Sequence, residues 1–147
     1  MREEKILPLI KGIIKQFPFT KPLISRKGTG GTINSRYCYG VWMRHLTKWN
    51  TVYSEIPKVV AELGPGDSLG IGFAALLSGV NKIYAFDVVK YWNTQRNLQI
   101  FDELVELFMK QAKIPDDYEY PNVYPKLNNY EFPSHILTVN NHFNNSI

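Results

Sequence analysis

The chain has 147 residues, of which 44% are hydrophobic and 20% charged, proportions that exclude wholesale disorder. It has no run of about 18 apolar residues, which excludes a spanning helix, and its lone cysteine, Cys38, excludes an internal disulfide. Residues 1–60 hold eleven Lys or Arg against three Asp or Glu, whereas residues 61–147 hold six against ten. The basic residues are scattered, which favours a solvated basic face over a nucleic-acid interface.

Residues 3–17 are predicted to form an amphipathic helix that docks on the protein's own core. Apolar residues recur at helical spacing there, although Pro8 falls within the first turns. The apolar positions are Ile6, Ile10, Ile13, Ile14 and Phe17. The start of the chain also lacks the unbroken apolar core and cleavage site of a signal peptide, so we expect a cytoplasmic location.

A second helix is predicted from about Asn34 to Trp49, after a glycine-containing loop at 28–31. Asn34 or Ser35 is a suitable N-cap. The residues expected on its buried stripe are Cys38, Val41, Trp42, His45 and Trp49. Together with residues 1–33 this helix forms a predicted helical lead-in, 1–57, to a cofactor-binding region, 58–147.

Residues 58–90 have the pattern of a strand–helix–strand unit. A β-branched run at 58–63 predicts a buried strand, the small apolar residues 68–78 predict a helix that Gly79 ends, and 82–86 predicts a second strand before Asp87. Such a unit requires a parallel pair of strands and a right-handed crossover. The fold class predicted is therefore α/β.

The clearest helix is predicted at residues 97–112, followed from Ile114 by a proline-rich extended segment. The inner face of this helix is expected to consist of Leu98, Phe101, Leu104, Val105, Phe108 and Ala112. A third strand is predicted around Ile136–Val139, and the Asn-rich tail after it is expected to fray.

The turn between strand and helix, Glu62 to Gly70, is the most informative motif. Gly64 and Gly66 allow a tight turn that brings backbone amides close to a ligand, and Gly70 allows the helix to pack against the strand. Asp87 lies 21 residues after Gly66, where a carboxylate can accept hydrogen bonds from ribose hydroxyls. The pattern therefore predicts a site for a nucleoside-containing cofactor, whereas a purely structural turn would give no reason for the acids at 62 and 87.

Charge helps to choose the cofactor. A P-loop is excluded because no Gly-Lys-Ser/Thr closes the turn. A dinucleotide would place its pyrophosphate beside Glu62 and Asp67, and like charges near 4 Å repel by about 4 kcal/mol at an effective dielectric of 20. S-adenosylmethionine carries a sulfonium and an ammonium instead, which an acidic rim favours.

The residues ELGPGDSLG and YAFD resemble the glycine-rich motif and second-strand acid of class I S-adenosylmethionine-dependent methyltransferases. SRYCYGVWMRHL, residues 35–46, is similar to the preceding helix of a bacterial group within that family, some of whose members occur among cell-surface polysaccharide genes. The resemblance covers roughly residues 30–133.

The resemblance implies roles for individual residues. Glu62 would orient the ammonium of the cofactor, Asp87 would hold its ribose hydroxyls, Val88 would border the adenine, and Tyr37, with Arg36, would close over the site. The full set of implied cofactor-binding residues is Glu62, Gly64, Pro65, Gly66, Asp67, Ser68, Gly70, Asp87, Val88 and Tyr37. No catalytic residue and no metal ligand is predicted, because methyl transfer from a sulfonium mainly requires alignment of the acceptor.

The resemblance also implies a Rossmann-like sheet of seven strands, of which the sequence supplies two or three. We therefore expect an incomplete fold that lacks its C-terminal strands and self-associates through an exposed sheet edge. The methyl acceptor, a small molecule or a glycan, stays open. The alternatives are a non-catalytic remnant that acts as an interaction module and an NAD(P)-binding oxidoreductase domain.

Overall fold

The computed structural model describes residues 30–137. A short 3-10 helix, Gly31–Ile33, leads into helix α1, Ser35–Asn50. Strand β1, Val59–Leu63, helix α2, Gly70–Leu77, strand β2, Lys82–Phe86, and helix α3, Thr94–Met109, follow. The predicted helix 3–17 and the tail from residue 138 lie outside the described residues.

The predicted strand–helix–strand unit is confirmed. β1 and β2 pair in parallel, with Val59 opposite Lys82 and Leu63 opposite Phe86. α2 connects them, and Gly79, at φ 101°, ends the turn after this helix as predicted. Within residues 30–137 the protein is therefore an α/β structure with a two-stranded parallel sheet and three α-helices, compatible with part of a Rossmann-like fold.

Helix α1 begins where the sequence predicts, because the side chain of Asn34 accepts a hydrogen bond from the amide of Tyr37 at 3.1 Å. Its buried face differs from the predicted stripe. His45 and Trp49 are exposed, and the core contacts come instead from Tyr39, Met43 and Leu46, together with Cys38 and Trp42. Cys38 and Trp42 are therefore buried as predicted, whereas His45 and Trp49 are replaced on the buried face by Tyr39, Met43 and Leu46.

Helix α3 shows a similar shift. Leu98 is 61% exposed and Phe101 is also exposed, whereas Asn97 and Ile100 are buried with Leu104. The reason is polar: the side-chain oxygen of Asn97 accepts a hydrogen bond from the amide of Leu69 at 3.0 Å. This bond fixes the rotation of the helix about its axis and brings Ile100 against the first turn of α2.

The irregular segment that follows α3 wraps back over α1. The fully buried Arg44 donates hydrogen bonds to the carbonyls of Pro115 and Val123, both at 2.8 Å, and pairs with Asp117 at 2.9 Å. Because three parts of the segment meet at one guanidinium, Arg44 holds it in place.

The third predicted strand is not found among the described residues. Ile136 and Leu137 lie in a turn whose amides bond to the carbonyl of Pro133, and both side chains are buried in the helical core. Ile136 and Leu137 therefore fill the core, and the rest of the predicted strand, from residue 138, lies outside the described residues. Core residues come from both sides of the boundary predicted at residue 57, since α1 packs against α2 and α3.

Candidate cofactor site at the carboxyl ends of the strands

The glycine turn starts directly where β1 ends. The amide of Gly64 continues the ladder by donating to the carbonyl of Phe86 at 2.7 Å. Gly64 and Gly66 have φ angles of 72° and 76°, in the left-handed region that favours glycine, and Pro65 between them is buried. Both predicted glycines thus adopt a backbone conformation that most other residues adopt only with strain.

Asp87 joins the two strand ends. Its carboxylate accepts a hydrogen bond from the amide of Gly66 at 3.3 Å and another from the amide of Val89 at 3.2 Å. The glycine turn and the acid after β2 are thus in direct contact. Asp87 and the fully exposed Val88 lie at the surface, so the remaining lone pairs of the carboxylate are accessible to a ligand.

Glu62 faces the helices from the last part of β1. Its Oε2 atom is buried and has no hydrogen-bond partner among residues 30–137. Burial raises the pKa of the carboxyl to about 7, while the backbone amide of Gly72 acts in the opposite direction. A carboxyl group that is buried without a cation is a feature of ligand sites more than of stable cores.

Asp67 and Ser68 connect the turn to the chain before α1. The Asp67 carboxylate accepts from the amide of Gly30 at 3.3 Å, and the Asp67 amide donates to the hydroxyl of Thr32 at 2.9 Å. The Ser68 hydroxyl donates to the carbonyl of Thr32 and accepts from the amide of Gly70 at 3.1 Å. Both residues lie at the turn, but these contacts direct their side chains toward the protein.

Gly70 was expected to let α2 pack closely against the strand, but in the structure it packs against other helices. A Cβ at Gly70 would lie 2.6 Å from the Cys38 sulfur and 2.8 Å from Ile100, so this glycine permits close packing of α2 against α1 and α3. Gly72 is the residue that approaches the sheet, since a Cβ there would lie 3.1 Å from Ile83. The prediction that Gly70 packs against the strand is therefore wrong in its partner.

Tyr37 and Arg36 are held by neighbouring segments. The Tyr37 ring meets that of Tyr120 edge to face at 5.5 Å and packs under Gly31. Arg36 forms a two-pronged ion pair with Glu119, with its Nη2 at 2.7 Å from the carboxylate. In this arrangement Tyr37 and Arg36 support the loops around the site and do not cover it.

The structure adds Arg96 to the site, which the sequence pattern did not suggest. Its guanidinium lies 3.5 Å from the carbonyl of Asp67, in the glycine turn. Asn93 caps α3 by accepting from the Arg96 amide at 2.9 Å, which sets the position of this residue. The one feature of the sequence that could have indicated this position of Arg96 is Asn93, the N-cap residue three positions earlier.

An apolar groove opens beside the turn, between α2 and α3. It has a volume of about 360 Å³, and Asn97, which bonds to Leu69 of the turn, forms part of its wall. The other lining residues are Phe73, Trp92, Thr94, Leu98 and Phe101. The groove thus provides apolar surface close to the polar atoms of the turn.

Cys38 is a core residue, as predicted. The side chain is fully buried, and burial raises the pKa of its thiol to about 12, so a thiolate nucleophile is not available there. Residues 30–137 contain no group of three His, Cys, Asp or Glu side chains that could hold a metal ion. In the same range no helix has the length and apolar character needed to cross a membrane.

Comparison of the chain with protein-family models found no match. Comparisons with curated proteins and with solved structures found none either. The assignment of a function therefore depends on the residues and contacts of the site itself.

Proposed function

We propose that this chain binds S-adenosylmethionine at the carboxyl ends of β1 and β2, as an S-adenosylmethionine-dependent methyltransferase or as the cofactor-binding part of one. The observation that carries the proposal is the contact between the Asp87 carboxylate and the Gly66 amide. It places an exposed acid and a tight glycine turn side by side, where parallel sheets bind their ligands.

Asp87 and Val88 account for the nucleoside part of the ligand. The Oδ2 atom of Asp87 accepts from the amide of Gly66, and its Oδ1 atom accepts from the amide of Val89. An ionised carboxylate has about four acceptor positions. Two acceptor positions are thus left for the ribose hydroxyls. The exposed apolar side chain of Val88 offers a surface for the adenine.

Glu62 accounts for the preference for a cation. The charged form of this carboxyl is disfavoured by burial, and its Oε2 atom lacks a partner among the described residues. An ammonium group placed beside Glu62 would supply both a hydrogen-bond donor and a countercharge. S-adenosylmethionine provides that group, whereas the pyrophosphate of a dinucleotide would add a like charge.

The position of Arg96 favours the alternative function, an NAD(P)-binding oxidoreductase domain. A guanidinium beside the glycine turn suits an anion, such as the pyrophosphate of NAD(P). The carboxylate of S-adenosylmethionine has the same charge and meets the same requirement, so Arg96 fits both ligands. Glu62 fits one of them, which is why S-adenosylmethionine is preferred here over an oxidoreductase cofactor.

The first test compares S-adenosylhomocysteine with NAD⁺ in thermal unfolding of the full chain. A ligand present at 100 times its dissociation constant stabilises the folded state by about 2.7 kcal/mol. We expect S-adenosylhomocysteine to raise the melting temperature by several degrees and NAD⁺ to leave it unchanged. Stabilisation by NAD⁺ alone would favour the oxidoreductase alternative, and indifference to both ligands would favour a non-catalytic interaction module.

The second test replaces Asp87. We expect Asp87→Ala to weaken binding of S-adenosylhomocysteine by about 1–3 kcal/mol, the scale of hydrogen bonds to a charged group, as measured by titration calorimetry. Asp102→Ala is the matched control, because Asp102 is an exposed acid on α3. Equal affinities of the two variants would reject the ribose contact. We propose no residue for binding of the methyl acceptor. The proposal includes a cytoplasmic location for the protein.

A further inference from the structure

The apolar groove between α2 and α3 has no role in the proposed contacts with the cofactor. Its volume is about 360 Å³, and a cavity of about 150 Å³ is already large enough to bind benzene. Leu98 and Phe101 are 61% and 37% exposed at its α3 wall, so a ligand can enter from solvent. The groove is therefore large enough for one ring or two fused rings.

Three aromatic side chains determine the shape of ligand that the groove favours. The rings of Phe73 and Phe101 meet edge to face at an angle of 87°, with their centroids 5.7 Å apart. Trp92 lines the same groove. Because aromatic rings gain from edge-to-face and offset-stacked contacts with one another, these walls favour a flat aromatic ligand over an aliphatic one of the same volume.

Asn97 supplies a polar atom to the groove. This side chain is only 7% exposed, and its Oδ1 atom already accepts a hydrogen bond from the amide of Leu69 at 3.0 Å. Its Nδ2 atom has no hydrogen-bond partner among residues 30–137. An unpaired donor on a buried side chain is unfavourable, and Asn97 lines the groove. A ligand that places an acceptor oxygen there would satisfy this nitrogen.

The charges around the groove favour an anion. Among the residues that the structure describes, no acid lines the groove. The Lys90 ammonium lies 4.1 Å from the centre of the Trp92 ring and forms no ion pair with a carboxylate of residues 30–137. Thr94, the first residue of α3, also lines the groove, so the positive end of the helix dipole is directed toward it.

We infer that the groove is a binding site for a planar aromatic carboxylate, in addition to the proposed cofactor site at Asp87. The ring of the ligand lies against Phe73, Phe101 and Trp92. One of its oxygens accepts a hydrogen bond from Nδ2 of Asn97, and its negative charge is directed toward Lys90 and the start of α3. This site does not depend on the cofactor, so it can be tested without one.

The test titrates 2-naphthoate into the isotopically labelled full chain, without cofactor, and follows the side-chain N–H signals by NMR. A ligand of this size should bind with a dissociation constant of about 1 mM or lower. We expect the signals of the Asn97 amide and the Trp92 indole to shift together. The indole of the buried Trp42, which donates to Ser78 at 2.7 Å, should stay in place.

Two relatives of the probe separate charge from ring shape. 2-Naphthamide keeps the rings and an acceptor oxygen but has no charge, so it should bind about fivefold more weakly. Decahydro-2-naphthoate keeps the charge and loses the flat rings, and it should also bind about fivefold more weakly. Equal affinity of either compound and 2-naphthoate would overturn the chemical class proposed for the ligand.

Substitutions then locate the site. Asn97→Asp keeps an acceptor for the Leu69 amide but replaces the Nδ2 donor by an anionic oxygen, and Leu98→Glu adds a negative charge at an exposed position of the wall. Each should weaken binding of 2-naphthoate by about tenfold. Met109→Glu, which adds the same charge at a position 67% exposed near the other end of α3, is the control and should leave binding unchanged.

The melting temperature of each variant shows whether it is folded, and Leu98→Glu alone decides if Asn97→Asp is not. Full affinity in Leu98→Glu overturns the inference, as does the absence of any shift up to about 5 mM 2-naphthoate. Signals of Asn97 and Trp92 that move with protein concentration alone would also overturn it, because a second copy of the chain then occupies the groove.

Discussion

Arg44 is a fully buried and Glu62 a partly buried ionisable side chain, and the two differ in the partners that surround them. Arg44 is fully buried and has a carboxylate and two close backbone carbonyls around its terminal nitrogens. Only its Nε lacks a partner among residues 30–137. Among residues 30–137 the Oε2 atom of Glu62 has no hydrogen-bond partner, and burial is the main cause of the raised pKa of this carboxyl.

The difference separates a residue that holds the fold from one that is available to a ligand. A buried charge with good partners is strongly destabilising when one member is removed. A buried carboxyl without a cation lowers the stability of the protein when it is charged. A ligand that supplies the cation restores that stability when it binds. Removing Arg44 should therefore damage the fold, whereas neutralising Glu62 should stabilise the fold and weaken binding.

The largest effect is expected from Arg44→Ala. The change leaves the carbonyls of Pro115 and Val123 without their donor and Asp117 without this partner, so we expect a loss of about 3–5 kcal/mol of unfolding free energy. Urea unfolding followed by circular dichroism measures it.

Arg36→Ala is the control for this loss. Its ion pair with Glu119 has both side chains more than a third exposed, so its removal should cost about 1 kcal/mol or less. Similar losses in the two variants would show that burial and the carbonyl partners of Arg44 contribute little.

Glu62→Gln tests the other side of the comparison. The pKa of Glu62 in the folded protein, about 7, is above its ordinary value of 4.5. The folded state therefore binds the extra proton, and the stability this brings is complete below pH 4.5 and is lost as the pH rises through 7. Glutamine mimics the protonated form, so we expect a gain of about 1–2 kcal/mol at pH 8 and little change at pH 4.5.

Binding should respond in the opposite direction. Wild-type affinity for S-adenosylhomocysteine should rise between pH 6 and pH 8 as Glu62 ionises, and Glu62→Gln should bind more weakly, without that rise. Calorimetry at both pH values gives the comparison. A Gln variant that is stabilised at pH 8 but binds normally would leave Glu62 as a strained core residue and remove its role toward the ammonium.

The local pattern of the sequence was enough to predict the central unit. β-branched runs, a glycine turn and a glycine stop gave both strands and α2, and Asn34 was correctly included among the caps of α1. The predicted faces of α1 and α3 were less accurate. The spacing of hydrophobic residues gives no sign of the hydrogen bond between Asn97 and Leu69. This bond directs Asn97 toward the turn and leaves Leu98 exposed.

Parts of the candidate site depended on contacts between distant segments. The proximity of Gly66 and Asp87 followed from the parallel pairing of the strands and was predictable. Arg96 was missed because it approaches the turn only after α3 is packed. Tyr37 was expected over the site because the resemblance implied it. Its actual contacts, with Gly31 and Tyr120, come from loops that have no periodic signal in the sequence.

The smallest effect is expected from Gly64, where no partner is involved. A Cβ at Gly64 would meet no atom within 4 Å, so the cost of Gly64→Ala comes from its φ of 72° and should be about 1 kcal/mol. Gly64→Asn should cost less, because asparagine tolerates this conformation. Urea unfolding ranks the two variants, and a larger loss for Asn would contradict the purely conformational explanation.

The same pair separates backbone freedom from close approach of a ligand. If the cofactor lies against the turn, the space beside Gly64 that is open in the protein alone is the space the ligand occupies. Both side chains should then weaken binding of S-adenosylhomocysteine, and the larger asparagine should weaken it more, although it preserves the fold better. If Gly64→Ala weakens binding more than Gly64→Asn, in the same order as the losses of stability, Gly64 serves only to shape the turn.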